Sequence, residues 1–561
     1  MTVPAPRMRW WGWGEDGHDA PLSATAQALL VAELGPLPDG HRDPVALDDV
    51  RLSASALPAT ARAQLVGAVG AEHVCDDRLA RVTHAAGRGY HDLVRLRAGD
   101  ADGAPDAVVY PGSAEEVAAV LRACAQEQIA VVPFGGGTSV VGGVEPFRGR
   151  FPTVVALDLA RLDGLVAVDP VSLTATVRAG MTGPALEEAL AEHELTLGHF
   201  PQSFEFSTVG GWVATRSSGQ ASTGYGRIDA LVVALRVVTP GGEIATRAVP
   251  ASAAGPSLRE LLVGSEGTLG VIVEVTLRVR ARPSVRRYEG FSVPRFEAGA
   301  DAFRALVQAG VAPDVMRLSD AQETRVSLAM SGGDGLTTRA LRGYLRARGH
   351  GDGCLVIAGW AGTEEAELRR RRAAAARLLR VHGAVVLGTQ VGHAWEHGRF
   401  HAPYLRDELL AHGVMVETLE TATTWDRLLE LHDAVAGAID GALRGRGTPP
   451  VVMSHVSHVY RTGASLYFTF VARQQAGAEL EQWHAAKVAA SDAILAHGGT
   501  ITHHHAVGRD HAPWLPGEIG ELGIELLRAA KATLDPAGIM NPGKLLPPAG
   551  SDPARPAGFS T

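Results

Sequence analysis

The chain has 561 residues, 46% of them apolar and 20% charged, a size beyond one hydrophobic core and a composition that excludes disordered and fibrous proteins. Its 52 Lys and Arg against 61 Asp and Glu leave a net charge of −9. That balance argues against nucleic-acid phosphate or an anionic membrane as the main partner and for a small molecule. Three of the cations are lysines, Lys487, Lys531 and Lys544, so a single Arg in this Arg-rich chain carries little functional weight. The three cysteines lie far apart with no CxxC, and no apolar run reaches the roughly 18 residues of a spanning helix. The sequence therefore reads as a soluble, unsecreted protein of the reducing cytosol.

Residues 1–104 hold a WWGWG cluster, with Trp10, Trp11 and Trp13, and then Ala- and Leu-rich stretches that predict an N-terminal helical region. From Pro105 the text turns to short Val-rich runs punctuated by Gly, the texture of strands and tight turns. Ser113 and Glu116 form a capping box, and Val117, Val120, Leu121 and Cys124 line one face of a helix running to about Gln128. Ile129 to Phe134 reads as a buried strand. Strands follow at Thr153 to Leu157, Leu165 to Val168 and Leu173 to Arg178, then a helix from Pro184 to Glu194 with Pro near its first position. After the strand Val271 to Arg280, the segment Ala281-Arg282-Pro283 marks a joint. Beyond it, strands at Cys354 to Gly359 and Leu466 to Val471 alternate with long helices such as Glu364 to His382. The fold class is α+β, divided as 1–104, 105–283, 284–498 and 499–561. The last unit holds a turn-rich Asp535 to Leu546 and a tail that reads as disordered.

Three glycine-rich motifs stand out. PFGGGTSVVGGV, Pro133 to Val144, leaves a strand with bare backbone amides able to share one concavity, which suits a phosphate without any cationic side chain. A flexible turn is the plain alternative, because with 66 glycines about one GGG triplet is expected by chance. In PQSFEFSTVGGWVATRSSG, Pro201 to Gly219, the residues Ser207, Thr208, Gly210 and Gly211 offer hydroxyls and backbone at a helix start, and an ordinary N-cap explains them equally. In LLVGSEGTLGVIVEVTLRV, Leu261 to Val279, glycines bracket Glu266 ahead of a strand, as a bulged hairpin also would.

Two further features concern chemistry. In Ala464 to Phe470, alternation puts Leu466, Phe468 and Phe470 on one strand face and Ser465, Tyr467 and Thr469 on the other, so Tyr467 faces away from the apolar side. The run His503-His504-His505 is rare for a chain with 22 histidines, and it lies too far inside to be a tag. Positive charge on these rings would lower the pKa of a nearby tyrosine towards neutrality.

The order PDAVVYP, PFGGGTS, FSTVGGWVATRSSG, VTPGGE, GSEGTLGVI over Pro105 to Pro283 resembles the FAD-binding domain of the vanillyl-alcohol oxidase (PCMH-type) flavoproteins. The resemblance implies a two-subdomain FAD-binding domain followed by an α+β cap that holds the substrate. It implies FAD contacts from Pro133, Gly135, Gly136, Gly137, Thr138, Ser139, Ser207, Thr208, Gly211, Thr215, Arg216, Glu266, Gly267 and Gly270, with residues 135–139 at the pyrophosphate. Some members tether the flavin through a His near that loop; this loop holds none, so the FAD is expected to be non-covalent.

WWGWG, RVTHAAGRGYHDLVRLRAG, MRLSD, PYLRD, ETLETATTWDRL, GASLYFTF and THHHAVG narrow the resemblance to the alkyldihydroxyacetonephosphate synthase family over nearly the whole chain. That family exchanges the acyl chain of acyl-dihydroxyacetone phosphate for a fatty alcohol, using FAD without net redox change, with the flavin N5 capturing the substrate carbon. Carried over, Tyr467 is the acid/base group, His503, His504 and His505 belong to the active site with Arg317, and Arg406 clamps the substrate phosphate. The expected protein is a cytoplasmic homodimer with no nucleic-acid partner, in peripheral contact with the membrane that holds its acyl substrate. His455 and His458 stand where flavin D-2-hydroxy acid dehydrogenases place metal ligands, so such a dehydrogenase is the second reading, and a catalytically silent FAD- or lipid-binding protein is the third. No metal is expected unless His455 and His458 bind one.

Overall fold

The computed structural model describes residues 8–17, 20–38, 40–331 and 336–547; the tail after Pro547, expected to be disordered, lies outside them. Three sheets of four or more strands organise the described residues. The first is four-stranded, ordered Val74–Cys75, Ala107–Val109, Thr153–Asp158, Ile129–Phe134, and parallel except for the Val74–Cys75 edge. Its three parallel strands are buried on both faces, which explains why their text is largely apolar rather than alternating. The helix Ala114–Gln126 covers it, and the Ser113 hydroxyl accepts from the Glu116 amide at 3.1 Å as the capping box requires. The Glu116 carboxylate reaches the amide of Gly112 instead of Ser113, at 2.7 Å.

The second sheet is antiparallel, with Leu165–Asp169, Thr174–Arg178, Val271–Arg278, Val232–Thr239 and Gly242–Ala245 in that order. One hydrophobic core joins it to the first sheet. The first hundred residues do not stand apart as a separate helical region. The helix Ala59–Val69 puts Ala61, Leu65 and Val69 into this core, and Val74–Cys75 adds a strand to the first sheet. The closing segment returns to the same core through Ile539 and Met540, with the Val131 amide donating to the Ile539 carbonyl at 2.8 Å and the Asn541 amide to the Val131 carbonyl at 2.8 Å.

The third sheet is antiparallel, with order Val385–Gly388, Val285–Val293, Cys354–Gly362, Val315–Ser319, Val451–Val459, Gly463–Arg473, Val414–Thr424. The helices Phe296–Gln308, Glu365–Val381, Leu428–Gly445 and Glu479–Ala496 cover one face. Leu466, Phe468 and Phe470 are each 0% exposed in that core, so the alternation read from the sequence sends Tyr467 to the opposite face. Cys75, Cys124 and Cys354 are free thiols. No helix among the described residues is long and apolar enough to cross a membrane.

Candidate active site

The three glycine-rich motifs, far apart in the chain, meet. A Cβ on Gly135 would lie 2.4 Å from the Thr208 hydroxyl, one on Gly136 would lie 2.0 Å from the Phe206 carbonyl, and one on Gly267 would lie 2.9 Å from the Pro133 ring. Glycine is therefore required by contact at the first two positions, while Gly137 and Gly267 also hold φ of +67° and +72°, in the left-handed region. The loop they form is only half-buried at Gly135, Gly136, Thr138 and Ser139. The amides of Gly136, Gly137, Thr138 and Ser139 have no acceptor among the described residues. A row of free amides in a cradle packed too closely for any Cβ fits a pyrophosphate. The buried Ser218 hydroxyl and Gln220 carbonyl oxygen also lack partners among the described residues.

Other expected cofactor contacts are committed within the protein. The Ser207 hydroxyl accepts from the Trp212 ring at 2.7 Å and donates to the Ser203 carbonyl at 2.8 Å, the Thr208 hydroxyl caps Gly211, and the Thr215 hydroxyl donates to the Gly211 carbonyl at 2.9 Å. Arg216 sits in the left-handed region and spends its guanidinium on the Val263 and Glu260 carbonyls, at 3.0 and 2.8 Å. A Cβ on Gly270, at φ +148°, would lie 2.8 Å from the Thr239 methyl and from the Val238 carbonyl. Glu266 accepts from the amides of Val507 at 2.8 Å and Gly508 at 2.7 Å, so it clips the segment after the histidine run onto the cofactor domain; burial raises its carboxyl to about 7.

On the third sheet Tyr467 is paired in register with Glu420 on one side and His455 on the other. Glu420, 1% exposed, accepts from the amides of His503, His504 and His505 at 2.5, 3.0 and 2.7 Å and from the Thr502 hydroxyl at 2.7 Å. One carboxylate thus folds the histidine run into a loop over the tyrosine. The Tyr467 ring lies 5.5 Å from His505, edge to face, and 6.0 Å from His504. Burial opposes the charge of Glu420, yet the hydrogen bonds from the loop amides help hold its carboxyl well below the usual range.

Burial also decides the state of the histidines. It pulls His504 down to about 3 and His505 to about 4, and His503 well below its ordinary value, so all three are neutral at pH 7. The expectation that they carry positive charge and draw the tyrosine down is reversed: burial pushes the Tyr467 phenol up, opposed by a hydrogen bond with Thr418 and by the Arg406 charge. The triplet supplies proton acceptors rather than cations.

Arg406, 7% exposed on the helix Ala402–Ala411, donates to the Thr418 hydroxyl at 3.3 Å and to the Arg88 carbonyl at 3.2 Å, and lies 3.7 Å from Glu417. These two bonds leave most of its five N–H donors for another acceptor. Arg317 does not reach the tyrosine. It donates to Glu323 at 2.7 Å, Glu323 meets His455 Nδ1 at 3.0 Å, and His455 stacks on Tyr467 at 4.9 Å. Burial works to raise Glu323, but Arg317 and His455 hold it at about 2.

The histidines offered as a metal pair part company. His455 turns to Glu323, whereas His458 joins His503 and His504, with ligand-capable atoms of those three within 4.8 Å of one another. His458 Nε2 is already 3.0 Å from the Gly219 carbonyl, and His503 Nε2 is 2.6 Å from the Tyr460 hydroxyl.

Two residues escaped the sequence reading. Glu420 sat unnoticed in ETLETATTWDRL, a segment legible only as part of a resemblance. Lys487 is 3% exposed and has no hydrogen-bond or ion-pair partner among the described residues, while its charge acts on His505, Asp510 and His511. The scarcity of lysine was the available signal. The other two are also buried or half-buried and fully engaged: Lys531 with Thr268, Asp535 and Met540, and Lys544 with Glu145 and Pro542.

The glycine cradle and the polar face of the third sheet define a two-part flavoprotein, and comparison with known proteins agrees. Residues 105–247 match the family described as FAD binding domain, and residues 282–545 match FAD linked oxidases, C-terminal domain. FAD is its cofactor. The chain is 36% identical over 480 residues to alkyldihydroxyacetonephosphate synthase of Trypanosoma brucei brucei, covering 84% of this chain and 78% of that protein. It is likewise 36% identical over 479 residues to the Dictyostelium discoideum enzyme, with the same coverage of 84% and 78%. A solved alkyldihydroxyacetonephosphate synthase structure superposes with a TM-score of 0.83 at 29% identity, covering 96% of this chain and 98% of the other. The chain belongs to the alkyldihydroxyacetonephosphate synthase family.

Proposed function

We propose that the protein converts an acyl-dihydroxyacetone phosphate and a fatty alcohol into the alkyl ether of dihydroxyacetone phosphate and a free fatty acid. The ester C–O bond on the dihydroxyacetone side breaks, the acid leaves as a carboxylate, the alcohol oxygen takes its place, and the alcohol proton is released. Bound FAD supplies, through N5, a centre that holds the substrate carbon during the exchange without net oxidation. The observation that carries this reading is the convergence of Tyr467, the neutral histidine loop built on Glu420, and Arg406 through Thr418, all on one face of the third sheet.

In this reading Tyr467, protonated at rest, exchanges a proton with the substrate carbon and its oxygens, and the neutral His505 is the acceptor beside it. Arg406 and the unpartnered Lys487 meet the phosphate, where a dianion answers the burial cost of both cations. Arg317 orders His455 through Glu323 and so fixes the stacked tyrosine. The amides of Gly136 to Ser139, with the Thr138 hydroxyl, hold the FAD pyrophosphate, and the remaining positions named from the resemblance shape that cradle. The FAD is non-covalent, so acid precipitation releases all of it. The lipid nature of both substrates favours peripheral contact with a membrane, and a cytoplasmic homodimer is part of the same proposal on the family resemblance.

The test is product analysis: purified holoenzyme, held anaerobic without an electron acceptor, is given acyl-dihydroxyacetone phosphate and hexadecanol. The ether phosphate and one equivalent of fatty acid are expected. Absence of the ether with intact FAD overturns the reading.

A further inference from the structure

The WWGWG cluster has no task in the reaction above, yet it is built with care. Trp10 and Trp13 are 8% and 4% exposed. The Arg9 amide closes a turn on the Gly14 carbonyl at 2.8 Å, while the Arg9 side chain donates to the Trp13 carbonyl at 2.8 Å and lies 4.2 Å from the centre of the Trp11 ring. A turn outside any helix or sheet keeps one shape only when something ties it down.

Two buried residues do so, and each also adjoins Arg406. Arg88, 1% exposed, donates to the Gly12 carbonyl at 2.9 Å and the Arg9 carbonyl at 3.0 Å, and to the Gly87 carbonyl at 2.8 Å. Its own carbonyl accepts from Arg406 at 3.2 Å, and its amide donates to the Ser139 carbonyl at 2.6 Å, at the end of the glycine cradle. Asp407, the residue after Arg406, accepts from the Trp13 amide at 2.7 Å and from Arg9 at 3.3 Å. The fit leaves no slack: a Cβ on Gly12 would lie 2.4 Å from the Asp407 carboxylate, and one on Gly87 would lie 2.3 Å from the Ser139 carbonyl.

We infer that the WWGWG turn, Arg88 and Asp407 are a positioning device that sets the guanidinium of Arg406 against the anionic end of the substrate, in register with the cofactor cradle. The inference rests on the reading of Arg406 as the phosphate clamp. Arg88 bonds to carbonyls, not to a carboxylate, so a fully buried cation is maintained without a direct ion pair, and burial lowers its pKa to about 10. Such a charge is costly, and its rigid planar fork holds three carbonyls in one fixed arrangement, which the compact ammonium of a lysine does not reproduce. Bidentate binding of phosphate is sensitive to displacement on the order of 1 Å, so a shift of the Arg406 helix is felt at the substrate although none of these side chains touches it.

The experiment is a double-mutant cycle on the holoenzyme. Gly12→Ala and, separately, Arg88→Lys are each expected to raise the KM for acyl-dihydroxyacetone phosphate about tenfold, the lower end of what weakening a charge-assisted contact costs. FAD content and the KM for fatty alcohol stay unchanged. In an Arg406→Met background the added Gly12→Ala change costs nothing further, because the two act as one unit. Gly12→Ala alone carries the test where Arg88→Lys does not fold. An equal KM rise in both backgrounds, a parallel rise for the alcohol, or no rise at all overturns the inference. Titration of the same proteins with glycerol 3-phosphate, followed by flavin absorbance, separates it from the proposed function. If wild type binds this anion tenfold tighter than Gly12→Ala but makes no ether, the reaction assignment falls and the positioning role stands. If wild type makes the ether but does not bind this anion, the positioning role falls and the reaction assignment stands.

Discussion

Tyr467 owes its place to strand alternation, a pattern of period two that any apolar strand displays, and it was legible for that reason: its neighbours Leu466, Phe468 and Phe470 are wholly buried behind it. Tyr467→Phe keeps the ring that stacks on His455 and removes one hydroxyl. FAD content is expected to be unchanged and turnover to fall by about 10² to 10⁴, the usual worth of a positioned acid/base group, measured as ether product per bound flavin. Protonation states were not legible. The triplet suggested cations, but charge in a run of histidines depends on burial, and burial follows from how the 499–546 segment folds back onto the molecule. Lys487 shows the converse. Its rarity in an Arg-rich chain was visible, whereas its lack of a partner depends on elements that only the tertiary structure brings near.

At the scale of elements, Glu420 converts a strand and a loop into a site. The strand Val414–Thr424 presents the carboxylate, and the loop answers with three consecutive amides. Glu420→Gln replaces an oxygen that accepts by an amide that donates, leaving buried N–H groups facing each other at about 1 to 3 kcal/mol apiece. The variant is expected to keep FAD, because the cradle lies on other elements, and to lose at least about 10² in turnover, the lower end of the loss expected when an acid/base group is misplaced. Unchanged turnover per flavin would remove Glu420 from the site. Most elements were readable from local signals. The helix after Ser113 was marked by its cap, and the strand Ile129–Phe134 by its apolar run between Gln128 and the glycines. The separate N-terminal helical region was not, because Ala- and Leu-rich helices carry no mark of which core they join, and Ala59–Val69 joins the cofactor domain.

For the whole molecule, burying neutral histidines links stability to pH. In the unfolded chain a histidine binds its proton near pH 6.5, whereas burial holds His458 and His504 at about 3 and His505 at about 4. Between those values the unfolded state binds more protons, so stability is lost as pH falls from about 6.5 towards 4. Thermal unfolding followed by flavin release should show Tm falling over that window, and His505→Asn should flatten the slope; an unchanged slope would contradict neutral burial of this ring. The arrangement of three glycine motifs into one cradle, and of that cradle against the third sheet, was readable only through a resemblance spanning the chain, since spacing alone does not say which distant loops meet. The central claim, an exchange without net redox change, is tested most directly by the flavin itself. Anaerobic holoenzyme is mixed with acyl-dihydroxyacetone phosphate and then with a fatty alcohol, with no electron acceptor present. The oxidised-flavin bands are expected to bleach on the first addition and return on the second. No response to the acyl ketone phosphate, together with stable reduction by D-lactate, glycolate or D-2-hydroxyglutarate until an acceptor is supplied, would contradict it.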